Sequence, residues 1–185
     1  MALVPPADSV IGVDSSADML AAFVDSAESK GVAREVYEGA WPAVATEVPN
    51  ADVVVCHHVF YNVPELPAFV DALFAHARRR VVVEMTAAHP LTALAPLWRH
   101  FHGIDRPHGP TAALAEQVLR EHGIESTVET WTRPARDVPR EVYVRMNRRR
   151  LCLPVDAEPE VDRLMGDTAT AGRDVVTMWW DATPE

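Results

Sequence analysis

Three stretches of the chain, SVIGVD (9–14), ADVVVC (51–56) and RVVVEM (80–85), are almost continuously apolar, which is how strands read when both faces of a parallel sheet are covered. Between and after them the apolar period changes to that of a helix. Met19, Leu20, Phe23, Val24 and Ala27 share one face of a helix predicted over 16–30, with Ser15 or Ser16 as its N-cap. Leu66, Phe69, Val70, Leu73, Phe74 and Ala77 repeat the pattern over 64–77. A third helix is predicted from Pro110 to His122, opened by proline and closed by Gly123. REVYEG (34–39) and ESTVETWT (125–132) read as strands after the first and third helices. Residues 139–151 read as a helix with Val142, Met146 and Leu151 inward; PEVDRLMG (159–166) reads as a short helix and VVTMWW (175–180) as a closing strand. VPPAD, RPHGP and TRPARDVP are connections, and there is no internal repeat or low-complexity tract.

Strands alternating with helices imply an α/β fold with an open, doubly wound sheet, whose ligands bind at the carboxyl ends of the strands. Those ends are Asp14, Glu38 to Trp41, Cys56 to Asn62, and Glu84 to Thr86. A length of 185 residues with 48% hydrophobic content suits one domain, 1–185. Against 27 acidic residues stand 17 Lys and Arg, a net charge of −10 that argues against a nucleic-acid partner. The basic runs Arg78 to Arg80 and Arg145, Arg148, Arg149 and Arg150 are read as solvated surface and helix C-terminal charge. Cys56 and Cys152 lie in apolar surroundings and are read as reduced, buried thiols, which points to the cytoplasm. No run approaches the roughly 18 apolar residues of a membrane span, and MALVPPADS lacks the regions of a signal peptide, so a soluble, unexported chain is expected.

Asp14, at the tip of a strand, is placed either to hold both hydroxyls of a ribose or simply to start the helix behind it. The wider pattern is more specific. VIGVDSSADML, EGAWP, ADVVVCHHVFYNV, PELPAFVDALFAHARRRVVVEM and the terminal VVTMWW together resemble a class I S-adenosylmethionine-dependent methyltransferase over most of the chain. The resemblance implies a Rossmann-like sheet with strand order 3-2-1-4-5-7-6 and S-adenosylmethionine as cofactor. It implies that Asp14 binds the adenosyl ribose with Ser15 and Met19 beside it, and that Gly39, Ala40 and Trp41 border the adenine. Cys56, His57 and His58 then face the sulfonium and the methyl acceptor, with Tyr61 and Asn62 a little further on.

Methyl transfer from a sulfonium asks the protein to align the reacting atoms, exclude water and, where needed, take a proton from the acceptor. His57, His58 and Tyr61 are the candidates for that last task, although either histidine can equally be only a wall of the pocket. Cys56 is read as a packed thiol rather than a nucleophile, since it follows three valines and lacks the preceding proline of the DNA cytosine methyltransferases. WRHFHGIDRPHGP holds His100, His102 and His108 without metal-ligand spacing and is read as a loop, a lid over the acceptor site.

One part of the family pattern is missing. A first strand and a glycine-rich turn should precede the ribose acid by roughly 20 residues, yet 13 residues precede Asp14 and the first glycine is Gly12. MALVPPADS reads as the tail of the helix after that turn. The absent strand belongs between SVIGVD and ADVVVC, so these two strands pair directly, or another chain fills the slot, or the sequence begins downstream of the true start; the last is the preferred expectation. The functional expectation is methyl transfer to a small molecule, with activity reduced by the missing turn. A non-catalytic methyltransferase-like interaction domain and an NAD(P)-dependent Rossmann oxidoreductase are the alternatives, and the oligomeric state is left open.

Overall fold

A computed structural model describes residues 6–135, 137–166 and 172–182. Its elements run β1 (Ser9–Asp14), α1 (Ala17–Glu28), β2 (Ala33–Glu38), β3 (Ala51–His57), α2 (Leu66–His76), β4 (Ala77–Thr86), α3 (Ala95–His102), α4 (Ala112–Glu121), β5 (Thr127–Arg133), α5 (Arg140–Arg150), α6 (Glu158–Met165) and β6 (Arg173–Asp181). β1 and β2 form a parallel pair, and the other strands form a sheet ordered β3-β4-β6-β5. Each sheet reproduces the succession of neighbours that the resemblance implied. β1 and β3 are not hydrogen-bonded neighbours, so direct pairing of SVIGVD with ADVVVC is not observed. The part of MALVPPADS before Pro6 lies outside the described residues.

The described residues gather into two compact units. One comprises the described part of Met1–Val54, Glu65–Val81 and the described part of Asp181–Glu185; the other comprises Val55–Pro64 and the described part of Val82–Trp180. In the first unit Val10, Ala27 and Val32 form a small core, joined by Ala7 and Phe23. Gly12 allows this packing, because a Cβ there would stand 2.9 Å from the Phe23 ring. Ser16 is the N-cap of α1, its hydroxyl accepting the Met19 N–H. The exterior is more open than a fully covered sheet requires: Val36 on β2 and Val53 on β3 are exposed. Arg78 to Arg80 are part of β4 itself, which starts at Ala77, and Arg80 pairs with Asp181 of β6.

In the second unit, Leu94, Leu97, Val144, Leu151, Val161 and Met165 are the buried centre of a helical cluster that includes Trp98, Phe101 and Tyr143. This corrects two expectations. WRHFHG is helix rather than lid loop: Leu94, Leu97, Trp98 and Phe101 follow the i, i+3, i+4, i+7 spacing, with Pro96 in the first turn and left-handed Gly103 at the end. The inner face of α5 is Val144 and Asn147, leading to Leu151, whereas Met146 is exposed. Arg148 does not extend into solvent; it reaches Glu158 at 3.1 Å and the Leu153 carbonyl at 2.8 Å. No helix among the described residues is long and apolar enough to cross a membrane.

Candidate functional site

In the first unit the parallel register sets Asp14 opposite Glu38, so β1 and β2 end level, and the Gly39 N–H donates to the Asp14 carbonyl at 2.9 Å. The acid and the 39–41 turn are thereby joined through the backbone. Asp14 Oδ1 accepts the Ser16 N–H at 2.9 Å, which orders the entry to α1 one step before the cap. Its Oδ2 has no partner among the described residues, so the helix-starting and ligand-holding readings of this carboxylate are compatible. Ser15 and Met19 are exposed beside it, as is Ala40. A Cβ on Gly39 would overlap a Val44 methyl, which is why this turn has glycine there. Trp41 packs edge-on against His76, with ring centroids 4.8 Å apart, and its buried indole N–H has no acceptor among the described residues. His76 ties the same loop down through Nε2 to the Ala45 carbonyl, 2.7 Å away.

In the second unit Cys56 is buried near the end of β3, and burial pushes its thiol up to about 12. A thiol so held is protonated and inert near neutrality. His57 is exposed. His58 turns the chain off the strand with a left-handed backbone, φ 58°, costly for a residue with a Cβ, and its N–H donates to the Glu84 carbonyl at 2.7 Å. The ring is thus brought to Tyr61 from the Phe60–Asn62 turn: Nδ1 lies 3.2 Å from the Tyr61 hydroxyl. That hydroxyl lies 2.8 Å from Thr86 Oγ1 and accepts the Thr86 N–H, and Thr86 Oγ1 donates to the Ala88 carbonyl at 2.6 Å. On its other side the His58 ring meets Arg133, whose Nη1 lies 3.1 Å from Nε2 and whose Nη2 binds the Glu84 carboxylate. Burial, and after it the Arg133 guanidinium, hold the His58 ring below the ordinary imidazole range, with Glu84 pulling the other way.

Of the residues singled out from sequence, Asp14, Ser15, Gly39, Ala40 and Trp41 are thus associated in the first unit, and His58 with Tyr61 in the second. Asn62 is exposed on the turn after Tyr61. Sequence reasoning misses Arg133 as a site residue; its only signal is a cation at the end of a strand just before Pro134. It marks Glu84 and Thr86 as a strand end and gives them no role. His100 and His102 are fixed elsewhere, at 2.8 Å from Glu160 and 2.7 Å from the Leu151 carbonyl. Among the described residues no group of three His, Cys, Asp or Glu side chains is placed to hold a metal ion.

No protein-family model and no curated protein matches the sequence. Solved structures do match the fold. A candidate methyltransferase from Bacillus halodurans aligns with 100% of this chain and 87% of its own, at 13% identity and a TM-score of 0.59. Magnesium protoporphyrin IX methyltransferase from Synechocystis, solved with bound SAH, aligns with 91% of this chain at 18% identity and a TM-score of 0.52; the match spans 63% of that enzyme. A candidate sarcosine dimethylglycine methyltransferase from Galdieria sulphuraria covers 95% of this chain and 70% of its own, at 12% identity and a TM-score of 0.53. The fold is that of the class I methyltransferases, and at these identities it is the fold alone that the likeness fixes.

Proposed function

We propose, from that fold as premise, that the chain is an S-adenosylmethionine-dependent methyltransferase acting on a small molecule. On this reading it is a single methyltransferase-like domain, 1–185, working in the cytoplasm with neither nucleic acid nor membrane as partner. The observation that carries the reading is the unpartnered Oδ2 of Asp14 at the tip of β1, joined by the backbone to the 39–41 turn. The residues fit an adenosine. Asp14 offers an anionic acceptor for ribose hydroxyls with Ser15 and Met19 alongside, and Gly39, Ala40 and Trp41 form the turn tied to it through the Gly39 N–H. Cys56 is proposed as a further cofactor contact, through packing rather than reaction. The small-molecule acceptor is favoured by the acidic charge and by neighbours named for porphyrin and sarcosine substrates.

When bound, S-adenosylmethionine supplies a methyl group already activated on sulfur. The chain's own work is then positioning and proton management. His57, His58 and Tyr61 are proposed to face the acceptor. Where the acceptor must lose a proton, His58 takes it, since its ring is held in the neutral form.

Saturation-transfer NMR detects weak binding and is the fitting test. Adenosine protons of S-adenosylmethionine are expected to receive saturation from the wild type. Asp14→Asn keeps the Oδ1 acceptor for Ser16 but removes the charge, and is expected to weaken binding by about tenfold to a hundredfold, the worth of a charge-assisted hydrogen bond. No signal with the wild type, or binding of NADH alone, overturns the reading.

A further inference from the structure

The hydrogen bonds around His58 leave only one consistent placement of protons. A guanidinium has donors and no acceptor, so the Arg133 Nη1 contact at 3.1 Å requires a lone pair on His58 Nε2. The ring proton is therefore on Nδ1, where it faces the Tyr61 hydroxyl at 3.2 Å. Tyr61 also accepts the Thr86 N–H and donates its own O–H to Thr86 Oγ1, whose O–H in turn donates to the Ala88 carbonyl. The chain of donors runs in one direction from Arg133 to a backbone carbonyl. Glu84 is the counterweight. Its carboxylate, only 13% exposed, holds Arg133 Nη2 and lies 3.4 Å from the same His58 Nε2.

We propose that Arg133 and Glu84 are positioning residues that set the proton state of His58 in opposite senses: Arg133 holds the ring as the neutral Nδ1–H tautomer, and Glu84 receives the Nε2–H when the ring is protonated. As a statement about catalysis this rests on the methyl-transfer reading above; as a statement about the ring it does not. Its consequence is that neither nitrogen is a free base at rest. Nε2 opens to a proton when Nη1 leaves it while Nη2 keeps its hold on Glu84. The other titratable groups around the ring are His57 beside it, Tyr61, His89 against the Tyr61 ring at 5.5 Å, and Arg173 of β6. Of these, His57 and Arg173 add to the effect of Arg133, and among the described residues Glu84 is the group that favours the charged ring.

Long-range 1H–15N correlation spectra of the full chain, labelled at histidine and assigned with His58→Gln, read which ring nitrogen carries the proton. Above the imidazole titration range the wild type is expected in the Nδ1–H form. Arg133→Met is expected to raise the titration midpoint of His58 and release the ring toward Nε2–H, whereas Glu84→Gln is expected to lower the midpoint. A purely structural role for either side chain does not produce shifts of opposite sign. An Nε2–H ring in the wild type, or a midpoint unmoved by Arg133→Met, overturns the proposal. The first measurement uses the unaltered chain, so it decides even if a variant fails to fold. Failure of the cofactor-binding test with an Nδ1–H ring removes the function and leaves the network, and the converse result removes the network alone.

Discussion

The two cysteines occupy equally apolar sequence, VVVCHH and RRRLCLP, and end in opposite environments. Cys56 is buried on β3, whereas Cys152 is exposed just past α5 with a left-handed backbone, φ 54°, which overturns the expectation that both thiols are buried. The difference is local geometry: in a run after a helix end, the backbone rotation, not the neighbours' polarity, decides which way a side chain faces. Reactivity follows thiolate fraction and access, and Cys56 has neither, its thiol being pushed up to about 12 by burial. Brief alkylation of the native protein with iodoacetamide at neutral pH is therefore expected to give a single adduct, at Cys152. Peptide mass spectrometry checks it, with the second adduct expected only after denaturation. Native labelling of Cys56 would show that β3 opens far more readily than its burial implies.

At the scale of elements, glycine in the middle of β1 is a packing device. The Phe23 ring of α1 fills the space where a side chain at Gly12 would stand, 2.9 Å from an ideal Cβ. Gly12→Val improves strand propensity and still is expected to destabilise the first unit, because the branched side chain has to displace the ring. The cost is expected at about 1 to 3 kcal/mol, read from chemical denaturation as a lower midpoint at unchanged slope. An equal or higher midpoint would mean that Phe23 repacks freely. Sequence reading places β1, α1 and β2 well because their apolar runs and turns are local. It fails on α3, where the histidines of WRHFHG draw attention to chemistry and away from the helical spacing of Leu94, Leu97, Trp98 and Phe101. It also turns α5 the wrong way, because that helix buries an asparagine: Asn147 is 2% exposed and its side-chain amide donates to the Tyr143 carbonyl at 2.9 Å. A polarity pattern treats such a residue as surface, and only the satisfied hydrogen bond explains its place inside.

For the whole chain, the α/β class is legible in the alternation of runs, but the order of neighbouring strands is not. Nothing in SVIGVD or RVVVEM says which strand lies beside which, and that order came from family resemblance. The candidate site divides the same way: Asp14, His58 and Tyr61 belong to contiguous motifs, whereas Arg133 meets His58 across 75 positions of sequence, and its place at a strand end before Pro134 does not say which residue it meets. Charge, by contrast, can be read from composition, and it bears on the acceptor. An excess of ten negative charges repels a polyphosphate backbone. The structure also engages several of the cations from which a basic face could be built: Arg34 with Glu28, Arg80 with Asp181, Arg140 with Asp162 and Arg148 with Glu158. Neutralising phosphates takes free Lys and Arg arranged along a track, and the salt dependence of binding scales with the number of phosphates so neutralised. The chain is therefore expected to produce no mobility shift of duplex DNA or single-stranded RNA at about physiological ionic strength, and no salt-dependent binding at lower ionic strength. A shift that weakens steeply with added salt would count against a small-molecule acceptor, and Arg145 and Arg149 of α5, which have no ion-pair partner among the described residues, would be among the cations to test as its contact surface.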